Sequence, residues 1–307
     1  MNKGLQDLSV AVIIPTYNRP KQLIACLESI SSQSLIPQEL IIIDDGELNR
    51  DFCDKIRNIF SSDLSVKITQ SSKEPGTSAA RNTGIALAST DLVLILDDDV
   101  VIGRRYIERV VDTYKKYGSE HLAGVGGFDS DLRSPSKIER LFNRIFLLDN
   151  DGWRVNSVGF QSWDPNIKTP TPAQWLSGNN ASYRRELLEM QSFPVWEGGR
   201  EPLEDIALGM DLNQRGFHFI INPNLDVNHK KEQSTESAIG FGMKRARNRR
   251  RIFHHYGDRS HWPLFIWCLI GDILRHVGAP FIDKRFAYHW SVFLGMVIGT
   301  IQPGLTK

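Results

Sequence analysis

The sequence predicts an α/β fold with a mostly parallel sheet flanked by helices, and three observations carry that expectation. Strand-like and helix-like periods alternate through roughly the first hundred residues. Two wholly apolar runs, Leu40–Ile43 and Leu92–Leu96, read as strands buried on both faces. Each run ends in adjacent acids, Asp44-Asp45 and Asp97-Asp98-Asp99. Open α/β sheets bind ligands at the carboxyl ends of their strands.

Taken in order, Ser9–Ile14 is apolar and β-branched, and Pro15-Thr16-Tyr17-Asn18 ends this first strand. Leu23, Leu27 and Ile30 then recur at helical spacing. After the strand at Leu40–Ile43, Asp54–Phe60 reads as a helix and Val66–Thr69 as a short strand. Thr77–Ala88 is an alanine-rich helix leading to the strand at Leu92. Such alternation builds βαβ units. Past residue 130 the expected elements are a helix over Ile138–Leu148, a strand over Trp175–Tyr183, a helix over Leu203–Gln214 and a short strand over Phe217–Ile221. Residues 150–173, rich in Trp, Pro, Asn and Gly, read as a long loop, and loops of that length tend to be functional. A basic helix over Thr235–His255 and apolar segments around 262–282 and 286–302 complete the chain. The expected division is a catalytic unit over 1–232, with halves at about 1–128 and 129–232, and a helical extension over 233–307.

At 307 residues and 41% hydrophobic, the chain is long enough to bury a full core. A net charge of +1 predicts no polyanion partner, although residues 244–251 carry six positive charges and no negative one. No aromatic interleaving or recognition motif accompanies that run, which argues against nucleic acid. Cys26, Cys53 and Cys268 are widely spaced, so neither a disulfide framework nor a zinc site is indicated. That usage, and an N-terminus without an apolar leader stretch, places the expected active domain in the cytosol.

Three carboxylates as close as Asp97, Asp98 and Asp99 repel one another unless a cation compensates them. Hard oxygen ligands suit Mg²⁺ or Mn²⁺, which typically pair carboxylates with substrate phosphates; the plain alternative is a solvated turn. Asp44 and Asp45 can accept hydrogen bonds from a base or a ribose. Arg81 is in reach of a phosphate, or of the aspartate triplet as a salt bridge, and both readings stand. Glu204-Asp205 sits in the first turn of a helix, where acids also simply favour the dipole.

Val12-Ile-Ile-Pro-Thr-Tyr-Asn-Arg19, Ile41-Ile-Ile-Asp-Asp-Gly46, Ala80-Arg-Asn-Thr-Gly-Ile85 and Leu94-Ile-Leu-Asp-Asp-Asp99 occur in the order and spacing of family 2 glycosyltransferases. The resemblance extends through Trp175-Leu-Ser-Gly-Asn-Asn-Ala-Ser182 and Glu204-Asp205, over roughly residues 8–230. It implies the GT-A fold and an inverting transfer from a nucleotide sugar to a glycan or lipid-linked acceptor. It also implies that Pro15, Thr16, Tyr17, Arg19, Asp44, Asp45, Arg81, Asp97 and Asp98 bind the donor. Asp97 and Asp99 resemble the metal-holding DxD positions, with His229 as a third ligand. Asp205 resembles the general base beside Glu204. Trp153, Trp163, Gly178 and Asn179 fall in the acceptor region, where aromatic rings stack on sugars, while Trp175 reads as core. Two departures stand out. Glu47 follows Gly46 where the family often has Ser, and the Gln-x-x-Arg-Trp motif of processive synthases is missing, which implies one transfer per acceptor.

Phe286–Thr306 holds no Asp, Glu, Lys or Arg over 21 residues, and Trp262–Ile282 looks amphipathic. With the basic run, these segments predict peripheral contact with an anionic membrane, ahead of a helical subdomain or a true span. Two rival functions remain. One is a degenerate module of the same fold that only binds nucleotide or docks at a membrane. The other is a haloacid dehalogenase-type phosphatase, suggested by Asp97-Asp98-Asp99-Val100-Val101, although its second acidic pair belongs downstream rather than at Asp44-Asp45.

Overall fold

A computed structural model of the protein describes residues 8–60, 64–71, 75–129, 134–148, 152–197, 199–229, 237–278 and 285–302. Its strands are β1 (Val10–Thr16), β2 (Glu39–Asp44), β3 (Ser65–Thr69), β4 (Leu92–Leu96), β5 (Val100–Ile102), β6 (Leu122–Asp129), β7 (Thr171–Ala173), β8 (Asn180–Arg184) and β9 (His218–His229). They form one sheet in the order β3-β2-β1-β4-β8-β6-β9-β5, with β7 paired to β9. The helices are α1 (Pro20–Ser31), α2 (Arg50–Ile59), α3 (Thr77–Leu87), α4 (Tyr106–Tyr117), α5 (Lys137–Ile145), α6 (Arg185–Met190), α7 (Glu204–Gln214), α8 (Ala238–Tyr256), α9 (Trp262–Gly278) and α10 (Phe286–Ile301).

The expected α/β class is therefore observed. The block β3-β2-β1-β4 is parallel throughout. β2 and β4 are buried at every position, as their apolar runs require. Side chains of β1 alternate between two cores. Ala11 and Ile13 pack with Ala80 and Ile85 of α3, while Val10, Val12 and Ile14 pack with Leu23, Leu27 and Ile30 of α1. Period-two alternation places a helix on each face of the sheet. α1 begins on Pro20, whose fixed φ suits a first helical turn.

Beyond β4 the sheet is mixed. β8 runs antiparallel to both β4 and β6, and β9 runs parallel to β6. The strand expected over Trp175–Tyr183 begins only at Asn180, because Ser177-Gly178-Asn179 turns to serve the site described below. The short strand expected at Phe217–Ile221 continues to His229 and pairs with β5, β6 and β7. β6, whose Gly-Val-Gly-Gly stretch blurs any apolar pattern, lay outside the expected strands, as did β5, β7, α4 and α6.

α8 and α9 share a core with the chain before β7, where Val158 and Phe160 pack with Phe253, Phe265, Cys268 and Leu269, while Val292 and Met296 of α10 pack with Ala246 of α8. α8 and α10 approach closely at glycines. A Cβ on Gly242 would lie 2.3 Å from the Val292 carbonyl oxygen, and one on Gly295 would lie 2.1 Å from that of Ile239. The expected border at 232/233 and the N-terminal stretch read for a leader both lie outside the described residues. Among the described residues, no helix is long and apolar enough to cross a membrane.

The basic run does not stand free. Arg245 and Arg249 pair with Asp272 of α9, and Arg247 and Arg251 pair with Glu197. Arg250 donates to the carbonyls of Thr300 and Gln302 at the end of α10. This corrects the expectation of a lipid-facing cationic patch, because buried Asp272, half-buried Glu197 and helix-end carbonyls engage the arginines. The apolar half of that expectation persists. Trp262, Trp267, Ile270, Leu274, Trp290, Leu294 and Ile298 are all exposed on α9 and α10.

Candidate active site

The carboxyl ends of β1, β2 and β4 bring three of the acidic and polar motifs together. Thr16 Oγ1 donates to Asp98 Oδ2 at 2.7 Å. Arg19 Nη1 lies 3.3 Å from Asp98 Oδ1 and 3.2 Å from Asp99 Oδ2. Burial pushes the Asp98 carboxyl up to about 6, against the pull of the Thr16 hydroxyl and Arg19. Tyr17, 52% exposed, stands at the rim beside β2. Pro15 pairs with Ile43 in the β1–β2 register.

Asp44 and Asp45 shape the loop that follows β2. Asp44 accepts from the backbone N–H of Gly46 and of Leu48, each at 2.9 Å. Asp45 accepts from the Ser71 N–H and hydroxyl and from the Gly76 N–H. These donors come from the chain entering α3, so Asp45 ties two motifs into one rim. Nothing in the spacing of the motifs points to Ser71 as a partner.

Asp97, Asp99 and His229 offer ligand atoms that all lie within 4.8 Å of one another. β5 pairs with β9, setting Val100 opposite His229, and this register delivers the histidine. His229 Nε2 lies 3.0 Å from Asp99 Oδ1, and that buried oxygen has no aligned hydrogen-bond donor. A buried carboxylate oxygen without a donor is an unmet demand that a divalent cation satisfies. Two oxygen donors and one imidazole suit a divalent cation bound together with substrate oxygens. The donor set fits such an ion. On the far side of the ring, the Asn179 amide meets His229 Nδ1 at 3.1 Å and so orients it.

Arg81 joins this cluster to a second acidic pair. It is 2% exposed, and its Nη2 donates to Asp97 Oδ1 at 3.1 Å and to the Gly178 carbonyl at 2.9 Å. Its Nη1 donates to Glu204 Oε1 at 2.5 Å. The ion-pair reading of Arg81 is the one the geometry supports. Burial alone would lower its guanidinium, but Glu204 and Asp97 carry it above the usual range.

Glu204 and Asp205 open α7, where the dipole favours negative charge. The preceding Leu203 has φ 74°, a left-handed conformation costing a bulky residue about 1–2 kcal/mol. That turn swings the two acids into the crevice. Asp205 Oδ2 accepts from the Gly178 N–H at 3.2 Å and Oδ1 from the Ile206 N–H at 2.8 Å. Burial raises both carboxyls, and Asp205 raises Glu204 further, while Arg81 pulls both down. Gly178 therefore links Asp205 to Arg81. A Cβ there would meet Arg81 Nη1 at 2.9 Å.

Of the tryptophans expected to meet an acceptor, Trp153 is 1% exposed, with its ring 5.0 Å from that of Trp175 and its Nε1 donating to the Asp164 carbonyl. Trp153 is a core residue with no free face, because residues 152–173 fold back onto the body of the protein. Trp163, 38% exposed, does present a face. Trp175 is buried, as expected.

Residues 11–189 match the family model described as Glycosyl transferase family 2. A glucosyl-dolichyl phosphate glucuronosyltransferase of Haloferax volcanii is 30% identical over 234 residues, covering 73% of this chain and 69% of that protein. An N-acetylglucosaminyltransferase of Bradyrhizobium elkanii is 35% identical over 105 residues, or 34% of this chain and 58% of that protein. Glycosyltransferase GlyG of Streptococcus pneumoniae is 26% identical, and the matched stretch spans 38% of its length. Among solved structures, the mannosyltransferase PcManGT of Pyrobaculum calidifontis, in complex with GDP-Man and Mn²⁺, superposes with a TM-score of 0.56 at 16% identity. The match covers 95% of this chain and 86% of that one. This neighbour is a GT-A glycosyltransferase, and the shared fold is the one expected from the motifs.

Proposed function

Because the chain belongs to glycosyl transferase family 2, we propose that it moves a sugar from a nucleotide-sugar donor to a hydroxyl of a glycan or lipid-linked acceptor. The transfer inverts the anomeric centre and happens once per acceptor. One observation carries the reading: a buried Glu204–Asp205 pair is joined through Arg81 to a separate Asp97–Asp99–His229 cluster. Transfer with inversion needs a base on one side of the anomeric carbon and charge compensation for the leaving diphosphate on the other. Membership in this family sets the phosphatase alternative aside.

In this reading Asp97, Asp99 and His229 hold Mn²⁺ or Mg²⁺, which when bound neutralises charge on the departing diphosphate. Asp205 takes the proton of the acceptor hydroxyl. Its carboxylate is aimed by the Gly178 and Ile206 N–H groups, and burial raises its proton affinity. Glu204 holds Arg81, and Arg81 holds Asp97. Thr16, Arg19 and Asp98 flank the diphosphate, while Tyr17, Asp44 and Asp45 frame base and ribose. Trp163, with its exposed face, and Gly178 and Asn179 beside the acidic residues are assigned to the acceptor. The GDP-Man and Mn²⁺ of the structural neighbour, and the dolichyl phosphate in the name of the archaeal relative, support a nucleotide-sugar donor and a lipid-linked acceptor.

Such an acceptor requires a catalyst at an interface. The exposed tryptophans and aliphatics of α9 and α10 supply a surface for peripheral contact. Three unpaired cysteines suit the cytosolic face of that membrane.

The test is a panel of nucleotide sugars incubated with Mn²⁺ and candidate acceptors, with the product anomer read by NMR. Transfer with inverted configuration is expected. Nucleotide binding without transfer or donor hydrolysis across the panel would leave only the degenerate binding module, and a retained anomer would overturn the inverting mechanism.

A further inference from the structure

A second pocket lies apart from the acidic cluster, between the chain at 160–163 and helices α8 and α9. Its volume is about 130 Å³, and Arg245, Arg249, Arg275, Asp272, Gln161 and Trp163 line it. One buried water needs only on the order of 10–15 Å³, so there is room for a small polar group.

The charges around this pocket do not balance. Among the lining residues three guanidinium groups face one carboxylate, an excess of two positive charges that Glu139, near Arg275, offsets only in part. Arg245 Nη2 lies 3.0 Å from Asp272 Oδ1, and Arg249 Nε lies 3.4 Å from Asp272 Oδ2. Arg249 is otherwise engaged, donating to the Gly159 carbonyl and to Gln161 Oε1, each at 2.7 Å. Arg275 donates Nη2 to Asn143 Oδ1 at 3.1 Å. Nη1 of Arg245 and Nη1 of Arg275 meet no protein acceptor among the described residues. Burial lowers Arg249 to about 10, with Asp272 opposing and Arg245 and Arg275 adding to the effect. Arg275 is lowered as well, by burial first, with Asp272 opposing most, Arg245 adding to the effect and Glu139 opposing less. His276, next to Arg275, is lowered to about 4 by burial and by Arg245, so it adds no charge near neutral pH.

We propose that this pocket is a phosphate site, in which Arg245 and Arg275 donate to the oxygens of a phosphomonoester. Such a group carries about −1.5 to −2 at neutral pH, which matches the excess, and the guanidinium fork suits its oxygens. Trp163 offers an apolar face to whatever the phosphate is attached to. α8 also reaches the chain leading into Glu204, through Asn248 Nδ2 donating to the Pro202 carbonyl at 2.9 Å. An occupied pocket therefore stands one helix away from the base. The inference does not depend on glycosyl transfer, since it is read by binding alone.

The phosphate can come from a soluble ester or from a lipid headgroup. Titration calorimetry of the full chain with inorganic phosphate, with metal chelated so that the acidic cluster takes no part, should show saturable binding. Chloride at equal ionic strength should give none. Arg245→Gln should weaken phosphate binding about tenfold, and Arg245→Lys should weaken it less. Thermal melting in phosphate-free buffer checks that each variant folds, and Arg275→Gln serves if Arg245→Gln does not. Vesicles carrying phosphatidic acid or phosphatidylglycerol, matched in surface charge, then distinguish the sources. An Arg245-dependent preference for phosphatidic acid assigns a lipid phosphate. Arg245-dependent binding of a soluble sugar phosphate without vesicle preference assigns a soluble one. Absence of saturable binding by the native chain, or equal binding by both glutamine variants, would overturn the proposal.

Discussion

Two charged regions of this protein are built in opposite ways. At the sheet end, Asp97, Asp98, Asp99, Glu204 and Asp205 gather around Arg19, Arg81 and His229, so negative charge is in excess. In the C-terminal layer, arginines of α8 and α9 gather around Asp272 and Glu197, and positive charge is in excess. The two regions treat a buried carboxyl differently. Burial raises Asp98, Glu204 and Asp205, whereas Arg245, Arg249 and Arg275 overcome burial and hold Asp272 far below the ordinary carboxylate range. A carboxyl pushed up still wants a cation or a proton and is available for chemistry. One pushed down already has its partners and belongs to the architecture.

The sharpest way to break that contrast is at Asp205. Asp205→Asn should lower turnover by roughly 10²–10⁴ while donor affinity and melting temperature barely change; unimpaired turnover would remove Asp205 from the base role. The pH profile sharpens the same point. The base must be ionised, so the acid limb of kcat/KM should lie above the ordinary carboxylate value of about 4. Raised carboxyls stabilise the fold below their unfolded pKa and lose that contribution as pH rises through the folded one. Activity should therefore increase, and stability decrease, across one window.

Asp272→Asn should do the reverse, leaving three arginines without their carboxylate. Urea unfolding should register a loss of about 3–5 kcal/mol, with nucleotide binding intact in the folded fraction. Because Asp272 is depressed, its contribution is present above the unfolded value of about 3.9 and is lost as pH falls through the folded one. The gap between native and variant should close on acidification.

Smaller effects follow. On the proposed metal role of Asp99, Asp99→Asn should shrink the gain in nucleoside diphosphate affinity on adding Mn²⁺ about tenfold, measured by calorimetry with and without metal. The least effect is expected at the exposed face. Trp290→Ser should weaken binding to anionic vesicles about fivefold, for roughly 1 kcal/mol of lost apolar burial. Salt should matter little, since the basic run is engaged within the chain. Strongly salt-sensitive vesicle binding would show that other cations meet the lipid.

The parts of the fold that could be read along the chain are those set by neighbours in sequence. β1, β2, β4, α3 and α7 follow from periods of two or 3.6 residues and from acids at strand ends. β6 escaped because its glycines carry no pattern. β9 was found only in its first half, because Asn and Pro interrupt the apolar run that its pairing with three strands nevertheless holds extended. Trp153 and Trp163 lie in one loop and look alike in sequence, yet one is core and the other presents a face.

By itself the sequence determined the class of fold, the acidic strand ends and the acids and Arg81 that the crevice brings together, since local periodicity and short motifs encode these. Tertiary structure alone decided what each charge is paired with. Arg81 meets Glu204 across 123 residues of chain. The arginines of α8 turn inward because Asp272 and Glu197 are folded against them. The physical reason is the same in both places: a buried charge is stable only beside its counter-charge, and its partner comes from whichever element the sheet and helix packing brings within about 3 Å.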